Sequence, residues 1–372
     1  MRSPIRLRDA RLLLRVPLFN TFRELGWPRL MPMTMSFVVT DRCNSLCRTC
    51  DIGARYQANP AIARGELSLD EYRRLFASIG PFEWATLSGG EPFMRRDLPE
   101  IAVALAAACR PRVINVPTNA SLVEATTRGI ERMLAGFGDT QLIVNLSVDG
   151  VGADHDRVRG LTGNFDRLVE VARRLRALDD PRLVLGCNTV ISRFNAERVE
   201  RTVDHVLTRL RPDSYVLEVA QERPEYHNLG ADLRGDPGDL RAALARAVAR
   251  LSKVHRRGVT RVVAAFRAHY YRETLRRLEG PRTHRCFSGF ATCAVMARGD
   301  VWTSTQRAEP MGNVRDFGYD FPALWRGRDA RAARGAVRAG PCDCETANVS
   351  YPNALLNPGA AARVAWYALR DR

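Results

Sequence analysis

Lysine is almost absent from this chain. Of the 57 basic residues, Lys253 is the single lysine and the other 56 are arginines, a choice typical of a GC-rich genome. The formal net charge is +16, but the arginines are spread through predicted helices and loops and form no stripe with aromatic residues. We therefore expect no nucleic-acid partner, because such partners are bound by a concentrated basic face.

Long apolar runs are missing as well. No stretch reaches the roughly eighteen consecutive apolar residues of a membrane span, and the longest candidate is the short run from Ile101 to Cys109. The N-terminal segment is basic and apolar, but Arg15 interrupts it and no small-residue cleavage site follows, so we expect no secretion signal. The nine cysteines, an odd number, then favour reduced thiols or metal ligands in the cytoplasm over a disulfide framework.

The 372 residues are enough for one large domain and a smaller one. Between about residues 33 and 270, short β-rich runs alternate with helical patterns. The predicted strands are Met33 to Val39, Glu83 to Leu87, Arg112 to Val116, Gln141 to Val148, Leu183 to Val190 and Ser214 to Val219. Ser68 followed three residues later by Glu71 predicts a capping box at one helix start. Serial strand-helix units predict an α/β fold with a parallel sheet and right-handed crossovers.

Ligands of such sheets collect where the strands end, and each predicted strand runs into residues suited to chemistry. In chain order these residues are Cys43, Cys47 and Cys50; Gly89, Gly90, Glu91 and Pro92; Asn119; Ser147 and Asp149; Asn195; and Glu218, Gln221, Glu222 and Arg223. Taken singly, the glycine stretch would be an ordinary turn and the later residues a strand end or a solvated loop. Their occurrence after successive strands favours one shared site.

Three cysteines within eight residues, Cys43, Cys47 and Cys50, have no fourth nearby. A structural zinc site uses four thiolates, commonly as two close pairs. Three thiolates on one loop instead leave a metal centre open, and a cubane of four irons held in this way has one iron free to bind a small molecule. Such a cluster is also a one-electron donor. Cys109 and Cys187 lie in an apolar helix and strand, where we expect buried core thiols.

This loop, followed about forty residues later by Gly89 to Pro92, resembles the radical S-adenosylmethionine (SAM) superfamily. The resemblance covers roughly Met33 to Glu222, and the segments "SVDG", "HDRVRG" and "GNF" extend it beyond the cysteines. It implies a partial (β/α)6 TIM-type barrel of parallel strands. It also implies reductive cleavage of SAM to methionine and a 5'-deoxyadenosyl radical, which abstracts hydrogen from a substrate.

The resemblance implies a role for each motif. Cys43, Cys47 and Cys50 would hold a 4Fe-4S cluster whose open iron takes the amino and carboxylate groups of SAM. Further SAM contacts would come from Gly89, Gly90, Glu91, Pro92, Asn119, Ser147, Asp149 and Arg159. Glycines permit a close backbone approach, a carboxylate accepts from the SAM ammonium, hydroxyl and carboxylate groups suit ribose, and arginine suits the SAM carboxylate.

The C-terminal part resembles the SPASM or twitch extension, which carries an auxiliary cluster. Gly299 to Val301, Gly312 with Asn313, and Trp325 match that pattern, whereas Ser304 stands where a cysteine is expected. The remaining cysteines are Cys286, Cys293, Cys342 and Cys344. Four thiols suffice for a second iron-sulfur cluster, a structural zinc site uses the same ligands, and a degenerate domain without metal is a third alternative. Of the four, Cys293 is the weakest candidate, since it would also suit the core.

We therefore predict a basic amphipathic segment at 1–30, a radical SAM partial barrel at 31–234, a helical connector at 235–280 and a small α+β metal-binding extension at 281–372. Glu218, Gln221 and Glu222 are the substrate-side candidates. Expected partners are a flavodoxin or ferredoxin-type reductant and a small-molecule, lipid-linked or peptide substrate. The expected location is the cytoplasm, with a peripheral membrane contact through the N-terminal segment as a further hypothesis, and the expected state is a monomer. The alternative function is a zinc protein that binds nucleic acid through its basic surface.

Overall fold

The computed structural model describes residues 7–252, 261–280, 284–341 and 346–370. The strands are β1 (Thr34–Thr40), β2 (Trp84–Gly89), β3 (Val113–Thr118), β4 (Gln141–Ser147), β5 (Leu183–Ile191), β6 (Ser214–Val219), β7 (Thr292–Val295), β8 (Asp300–Trp302) and β9 (Pro310–Asn313). The first six coincide with the predicted strands to within about two residues at each end.

The helices of the described residues precede, connect and follow these strands. They are α1 (Leu7–Leu25), α2 (Ile52–Ala58), α3 (Leu69–Ile79), α4 (Leu98–Cys109), α5 (Val123–Gly136), α6 (Ala153–Arg159), α7 (Asn164–Ala177), α8 (Val199–His205), α9 (Pro237–Ser252), α10 (Arg261–Arg277), α11 (Phe321–Arg326), α12 (Arg328–Ala339), α13 (Ala347–Leu356) and α14 (Pro358–Arg370). Within the described ranges, no helix has both the length and the apolarity that crossing a bilayer requires.

All nine strands belong to one sheet, in the order β6-β5-β4-β3-β2-β1-β7-β8-β9. Strands β1 to β6 are parallel to their neighbours, which confirms the α/β fold and agrees with a partial TIM-type barrel. The C-terminal strand β7 pairs in parallel with β1, and β8 and β9 follow as antiparallel strands. The hairpin of the C-terminal extension therefore prolongs the barrel sheet at its β1 edge.

Burial alternates along the strands because successive side chains point to opposite faces. In β4, Leu142, Val144 and Leu146 are fully buried under the helices, whereas the residues between them keep some solvent contact. The same alternation runs through β6. We call the second face, lined by Asn145, Asn188 and Glu218 among others, the barrel lumen.

Helix α3 shows how local sequence and packing combine. Ser68 and Glu71 form the predicted capping box, in which the Ser68 hydroxyl accepts from the Glu71 amide and the Glu71 carboxylate accepts from the Ser68 amide. The inward face of the helix packs Phe76 edge-on against Phe37 of β1, with ring centroids 5.3 Å apart. Glu71 also accepts hydrogen bonds from Arg315 and Tyr319, which join α3 to the C-terminal extension.

The N-terminal helix α1 packs through Phe19 and Phe22, both fully buried. Asn20 donates to the Leu356 carbonyl and Arg23 to the Cys286 carbonyl, so the helix contacts the C-terminal extension. Among the side chains described from residue 14 onward, its outward side and the following turn leave Leu14, Leu18, Leu25 and Trp27 exposed.

Candidate active site

Three thiols lie on the loop between β1 and α2. Cys43 is buried, and Cys47 and Cys50 are partly buried. Burial raises the pKa of Cys43 to about 11, and it also raises the pKa of Cys47 and Cys50. Each thiol lies close enough to another for the two thiolates to repel, which adds to the rise for Cys43 and Cys50. The thiolate forms therefore need a cationic partner, and this donor set fits an iron-sulfur cluster.

The three thiols of this loop do not suit a single metal ion. The described part of the chain has no group of three His, Cys, Asp or Glu side chains placed to hold one ion. In a cubane cluster, by contrast, each thiolate binds a different iron, so that the three sulfur atoms do not converge on one point. Among the residues described, the three thiols of the loop are therefore compatible with a cluster site.

The cysteine loop is held in place by loops that follow other strands. The side-chain amide of Asn119, after β3, donates to Asn44 Oδ1 at 2.9 Å and to Ser45 Oγ at 2.8 Å. From the loop after β6, Asn228 donates to the Thr49 carbonyl at 2.8 Å, and the Tyr226 carbonyl accepts from the Asp51 amide. The predicted SAM contact Asn119 thus also fixes the shape of the loop.

The glycine segment after β2 crosses the cysteine loop at close range. The Gly90 amide donates to the Thr40 carbonyl at 2.9 Å and the Glu91 amide to the Arg42 carbonyl at 2.7 Å. A Cβ atom on Gly90 would lie 2.3 Å from the Arg42 oxygen and 2.8 Å from the Cys43 Cβ. Glycine is therefore required here by the packing of two loops.

Glu91 is a buried carboxylate with three donors already in place. Its oxygens accept from the Thr118 hydroxyl at 2.8 Å, the Asn119 amide at 2.7 Å and the Phe93 amide at 3.1 Å. Burial raises its pKa, and these hydrogen bonds oppose the rise. A carboxylate has about four lone-pair sites, so one remains for a ligand ammonium.

The structure pairs Asp149 with Arg159. Arg159 Nη1 donates to Asp149 Oδ2 at 3.1 Å, and the other carboxylate oxygen accepts from the Val190 amide at 2.8 Å. Arg159 Nε is buried without a partner, and the guanidinium lies within electrostatic reach of Cys43 and Cys47. The sequence predicted both residues at the site but did not predict their ion pair.

Ser147 and Pro92 lie where the strand pattern predicted. Ser147 ends β4 on its lumen face, opposite Asn188 of β5. Pro92 is buried and begins the short turn Pro92–Met94 directly after Glu91. Both residues therefore lie at the carboxyl edge of the parallel strands.

The three substrate-side candidates separate in space. Glu218 faces the barrel lumen, where it accepts from Asn188 Nδ2 and from the Ala347 amide. Gln221 lies at the start of the next loop, and its carbonyl accepts from Asn228 at 3.2 Å. Glu222 is exposed and accepts from the Gly230 amide at 2.6 Å, so it caps its own loop.

Sequence reasoning did not single out Glu225, Asn145 or Asn188. Glu225 is buried, and its Oε2 lies 3.9 Å from Nη1 of Arg223. Burial raises the pKa of the Glu225 carboxyl, and the positive charge of Arg223 opposes this rise. Asn145 and Asn188 are lumen-facing amides in mainly apolar strands. The sequence signal that could have identified Asn145 and Asn188 is a polar residue within a mainly apolar strand pattern.

The remaining cysteines do not form a described cluster. Cys109 and Cys187 are fully buried core thiols, as predicted. Cys286 and Cys293 are buried in the same hydrophobic core, with Cys293 on β7 opposite Met35. Cys342 and Cys344 lie outside the described residues, so the auxiliary site stays a prediction.

Comparison with known proteins places this site in context. Residues 37–206 match the model of the Radical SAM superfamily. The chain is 35% identical over 177 residues to the AdoMet-dependent heme synthase of Methanosarcina barkeri, covering 46% of each. It is 34% identical over 179 residues to the PqqA peptide cyclase of Xanthomonas axonopodis pv. citri, covering 45% of this chain and 42% of that protein. The chain thus spans about half the length of these relatives.

Among solved structures, the fold is similar to Streptococcus suis SuiB bound to S-adenosylmethionine. The TM-score is 0.59 at 15% sequence identity, and the match covers 90% of this chain and 72% of that one. The likeness therefore extends past the matched family region into the C-terminal extension.

Proposed function

We propose that this protein, which contains a radical SAM domain at residues 37–206, is an enzyme that uses a 4Fe-4S cluster to cleave SAM reductively. The observation that carries the proposal is the clustering of three partly or fully buried thiols, Cys43, Cys47 and Cys50, on the loop that follows β1 of the parallel sheet. When bound, the cluster would supply the single electron that splits SAM into methionine and a 5'-deoxyadenosyl radical, which takes hydrogen from a substrate carbon.

The residues around the loop would bind and orient SAM. The buried carboxylate of Glu91 has room for the SAM ammonium, and the unpartnered Nε of Arg159, near two of the thiols, suits the SAM carboxylate. Ser147 and Asp149 would serve the ribose, with Asp149 acting largely through Arg159. The backbone of Gly89, Gly90 and Pro92, together with Asn119, would complete the contact.

The C-terminal extension is proposed to be of the SPASM or twitch type. The antiparallel β7–β8 hairpin, which contains Gly299 to Val301, and Gly312 with Asn313 in β9 support this proposal. The proposed ligands of an auxiliary cluster are Cys286, Cys293, Cys342 and Cys344. Such a cluster would accept an electron from a substrate radical and make the net reaction an oxidation or a crosslink. Without it, epimerisation or carbon-carbon bond formation is favoured.

The proposed substrate is a peptide or a small molecule, and the similarity to a peptide cyclase supports this proposal. We retain the predicted division into segments 1–30, 31–234, 235–280 and 281–372, a flavodoxin or ferredoxin-type reductant and a monomeric state. No specific observation favours the alternative of a zinc protein bound to nucleic acid. Instead, many of the described surface arginines pair with neighbouring carboxylates, as Arg174 does with Glu170.

A lipid-linked substrate and a peripheral membrane contact form a separate branch of the proposal. Leu14, Leu18, Leu25 and Trp27 are exposed on and after α1, in a chain of net charge +16. Apolar and basic groups together favour an anionic bilayer surface. Flotation with anionic liposomes should recover the intact chain and lose one truncated before residue 28. Equal flotation of the two would remove this branch.

Anaerobic reconstitution tests the main proposal. The chain should bind iron and sulfide in equal amounts at the loop and form 5'-deoxyadenosine when it is reduced with SAM. Replacing Cys43, Cys47 and Cys50 together by alanine should abolish this product, whereas the core variant Cys187→Ala should keep it. Continued formation of 5'-deoxyadenosine by the triple variant would contradict the proposal.

A further inference from the structure

The loop that carries the three cysteines also presents side chains to solvent. Leu46 and Arg48 flank Cys47 in the sequence; Leu46 keeps 46% of its surface exposed, and Arg48 is exposed as well. The Arg48 amide donates to the Val158 carbonyl of α6 at 2.9 Å. The outer side of the cysteine loop and the end of α6 therefore form one continuous surface.

The contact between this loop and α6 is close. Gly160 directly follows α6, and a Cβ atom on it would lie 2.1 Å from the Leu46 carbonyl oxygen. Backbone therefore packs on backbone at this point. This packing holds Leu46 and Arg48 in a fixed position relative to Arg157, which lies in the last turn of α6.

A cavity of about 140 Å³ opens beside this surface, and four arginines are among the residues that line it. They are Arg48, Arg157, Arg198 and Arg201, and all four are exposed. We call these four side chains the arginine face. Its members come from the cysteine loop, from α6 and from the segment after β5, so the tertiary fold brings them together.

The arginine face carries more positive charge than its carboxylates balance. Three of its members share the single carboxylate of Asp154, from which Arg198 Nη1 lies 3.0 Å and Arg201 Nη1 3.6 Å. The second aspartate that lines the cavity, Asp149, already pairs with Arg159. Because one carboxylate cannot neutralise three guanidinium groups, this surface attracts anionic partners.

The remaining member, Arg48, is oriented by an aromatic ring. Its guanidinium carbon lies 4.0 Å from the centroid of the Phe194 ring. A guanidinium that lies over a ring keeps its in-plane N–H groups available, and these groups bind carboxylates in a bidentate manner. Arg48 thus presents donors to an anion only two residues before Cys50.

The place of the arginine face in the fold favours one kind of anionic partner. The proposed cleavage of SAM needs an electron from outside, and Arg48 belongs to the loop that would hold the cluster. A protein docked here would bring its own redox centre close to that loop. Leu46 adds an apolar contact, which a free phosphate would not use. One leucine within a rim of arginines suits the small interfaces of electron-transfer complexes, which bury less than about 1,200 Å².

We propose that Leu46 and the arginine face form the docking surface for a one-electron carrier protein that presents carboxylates around its redox centre. The proposal rests on the proposed function, because it names the place where the reducing electron enters. In the complex the carrier loses one electron and the cluster gains one, and no covalent bond forms between the two proteins. The arginines therefore control association with the carrier and take no part in the cleavage of SAM.

Binding is measured first, by calorimetric titration of the reconstituted full chain with an oxidised, acidic flavodoxin. We expect saturable binding that weakens when the salt concentration rises from about 50 mM to about 300 mM. The triple variant Arg48→Gln/Arg157→Gln/Arg198→Gln should raise the dissociation constant at the lower salt concentration about tenfold. This change equals about 1.4 kcal/mol, within the range of three exposed ion pairs.

The source of the electron is then varied. With flavodoxin hydroquinone as the donor, the triple variant should need about tenfold more carrier for half-maximal formation of 5'-deoxyadenosine. Reduced methyl viologen is a small cation, which gains nothing from the arginines, so with this donor the variant should keep the wild-type rate. Iron content shows whether the variant retains its cluster.

The matched control removes the same charge from the other end of the barrel. Arg110 follows α4, and Arg132 and Arg173 lie in the second halves of α5 and α7; all three are exposed. These helices lead back into β3, β4 and β5, so their C-terminal ends lie opposite the cysteine loop. Replacing the three control arginines by glutamine should change neither carrier binding nor either rate.

If the triple variant loses its cluster, the pair Arg198→Gln/Arg201→Gln replaces it, since neither residue belongs to the cysteine loop. This pair should weaken flavodoxin binding about fivefold, the effect of about two exposed ion pairs.

The proposal is overturned by equal flavodoxin binding of the wild-type chain and the variants, by binding that is independent of salt, or by an equal loss in the control. Saturable binding of inorganic phosphate or of a single-stranded oligonucleotide that the variants abolish would also overturn it, because the face would then serve another anion. Such failures with normal methyl viologen-driven cleavage leave the proposed function standing. Specific carrier binding by a chain that forms no 5'-deoxyadenosine with either donor would refute the proposed function alone.

Discussion

Gly90 lies where the segment after β2 crosses the cysteine loop. Replacing Gly90 with alanine should displace the cysteine loop although no cysteine side chain is changed. The new Cβ would lie 2.3 Å from the Arg42 oxygen, 2.7 Å from the Arg42 carbonyl carbon and 2.8 Å from the Cys43 Cβ. Two of these contacts are with backbone atoms, so no side-chain rotation relieves them. One of the two loops must move.

The expected loss of folding stability follows from the cost of overpacking, which is about 1 to 3 kcal/mol for one added methyl in a close-packed region. The strain acts on the residue before Cys43 and on Cys43 itself, while the Gly90 and Glu91 amides lose their good geometry to Thr40 and Arg42. We expect the free energy of unfolding of Gly90→Ala to fall by that amount and its iron content after reconstitution to fall with it.

Denaturant unfolding, iron and sulfide analysis and 5'-deoxyadenosine formation measure the effect. Gly138→Ala is the matched control, because Gly138 is exposed and a Cβ there meets no atom within 4 Å. Its unfolding free energy should change by less than about 1 kcal/mol. Wild-type stability together with full cluster content in Gly90→Ala would refute the reasoning.

Two further predictions concern charged contacts. The hydrogen bond from Arg315 holds the pKa of Glu71 at about 2, below its ordinary 4.5. The stability that this carboxylate contributes is therefore present above pH 4.5 and is lost as the pH falls through 2. Glu71→Gln should flatten that dependence in denaturant unfolding between about pH 6 and about pH 3, and an unchanged slope would contradict the assignment. Arg159→Ala leaves the Asp149 carboxylate buried without its cation, so it should cost about 3 kcal/mol and abolish SAM binding. Adding Asp149→Asn should restore part of the stability but not the binding, and no recovery would argue against the ion pair.

Local sequence patterns predicted much of the fold because the relevant interactions are short-range. Short β-rich runs between helical patterns predicted six strands, and the spacing of Ser68 and Glu71 predicted the capping box. The ligands of the auxiliary site could not be predicted from local patterns in the same way. Cys286 and Cys293 lie in the core, and contacts with Cys342 and Cys344 depend on residues outside the described ranges.

The sequence by itself determined the parallel strands of the barrel and the thiol-bearing loop after the first of them, because the alternation of strand and helix patterns and the cysteine spacing are properties of consecutive residues. Only the tertiary structure decided which distant groups meet. Asp149 pairs with Arg159, Glu222 caps its own loop while Glu218 faces the lumen, and β7 extends the sheet beside β1. Such contacts depend on register and loop path, which join residues far apart in the chain and leave no periodic trace in it.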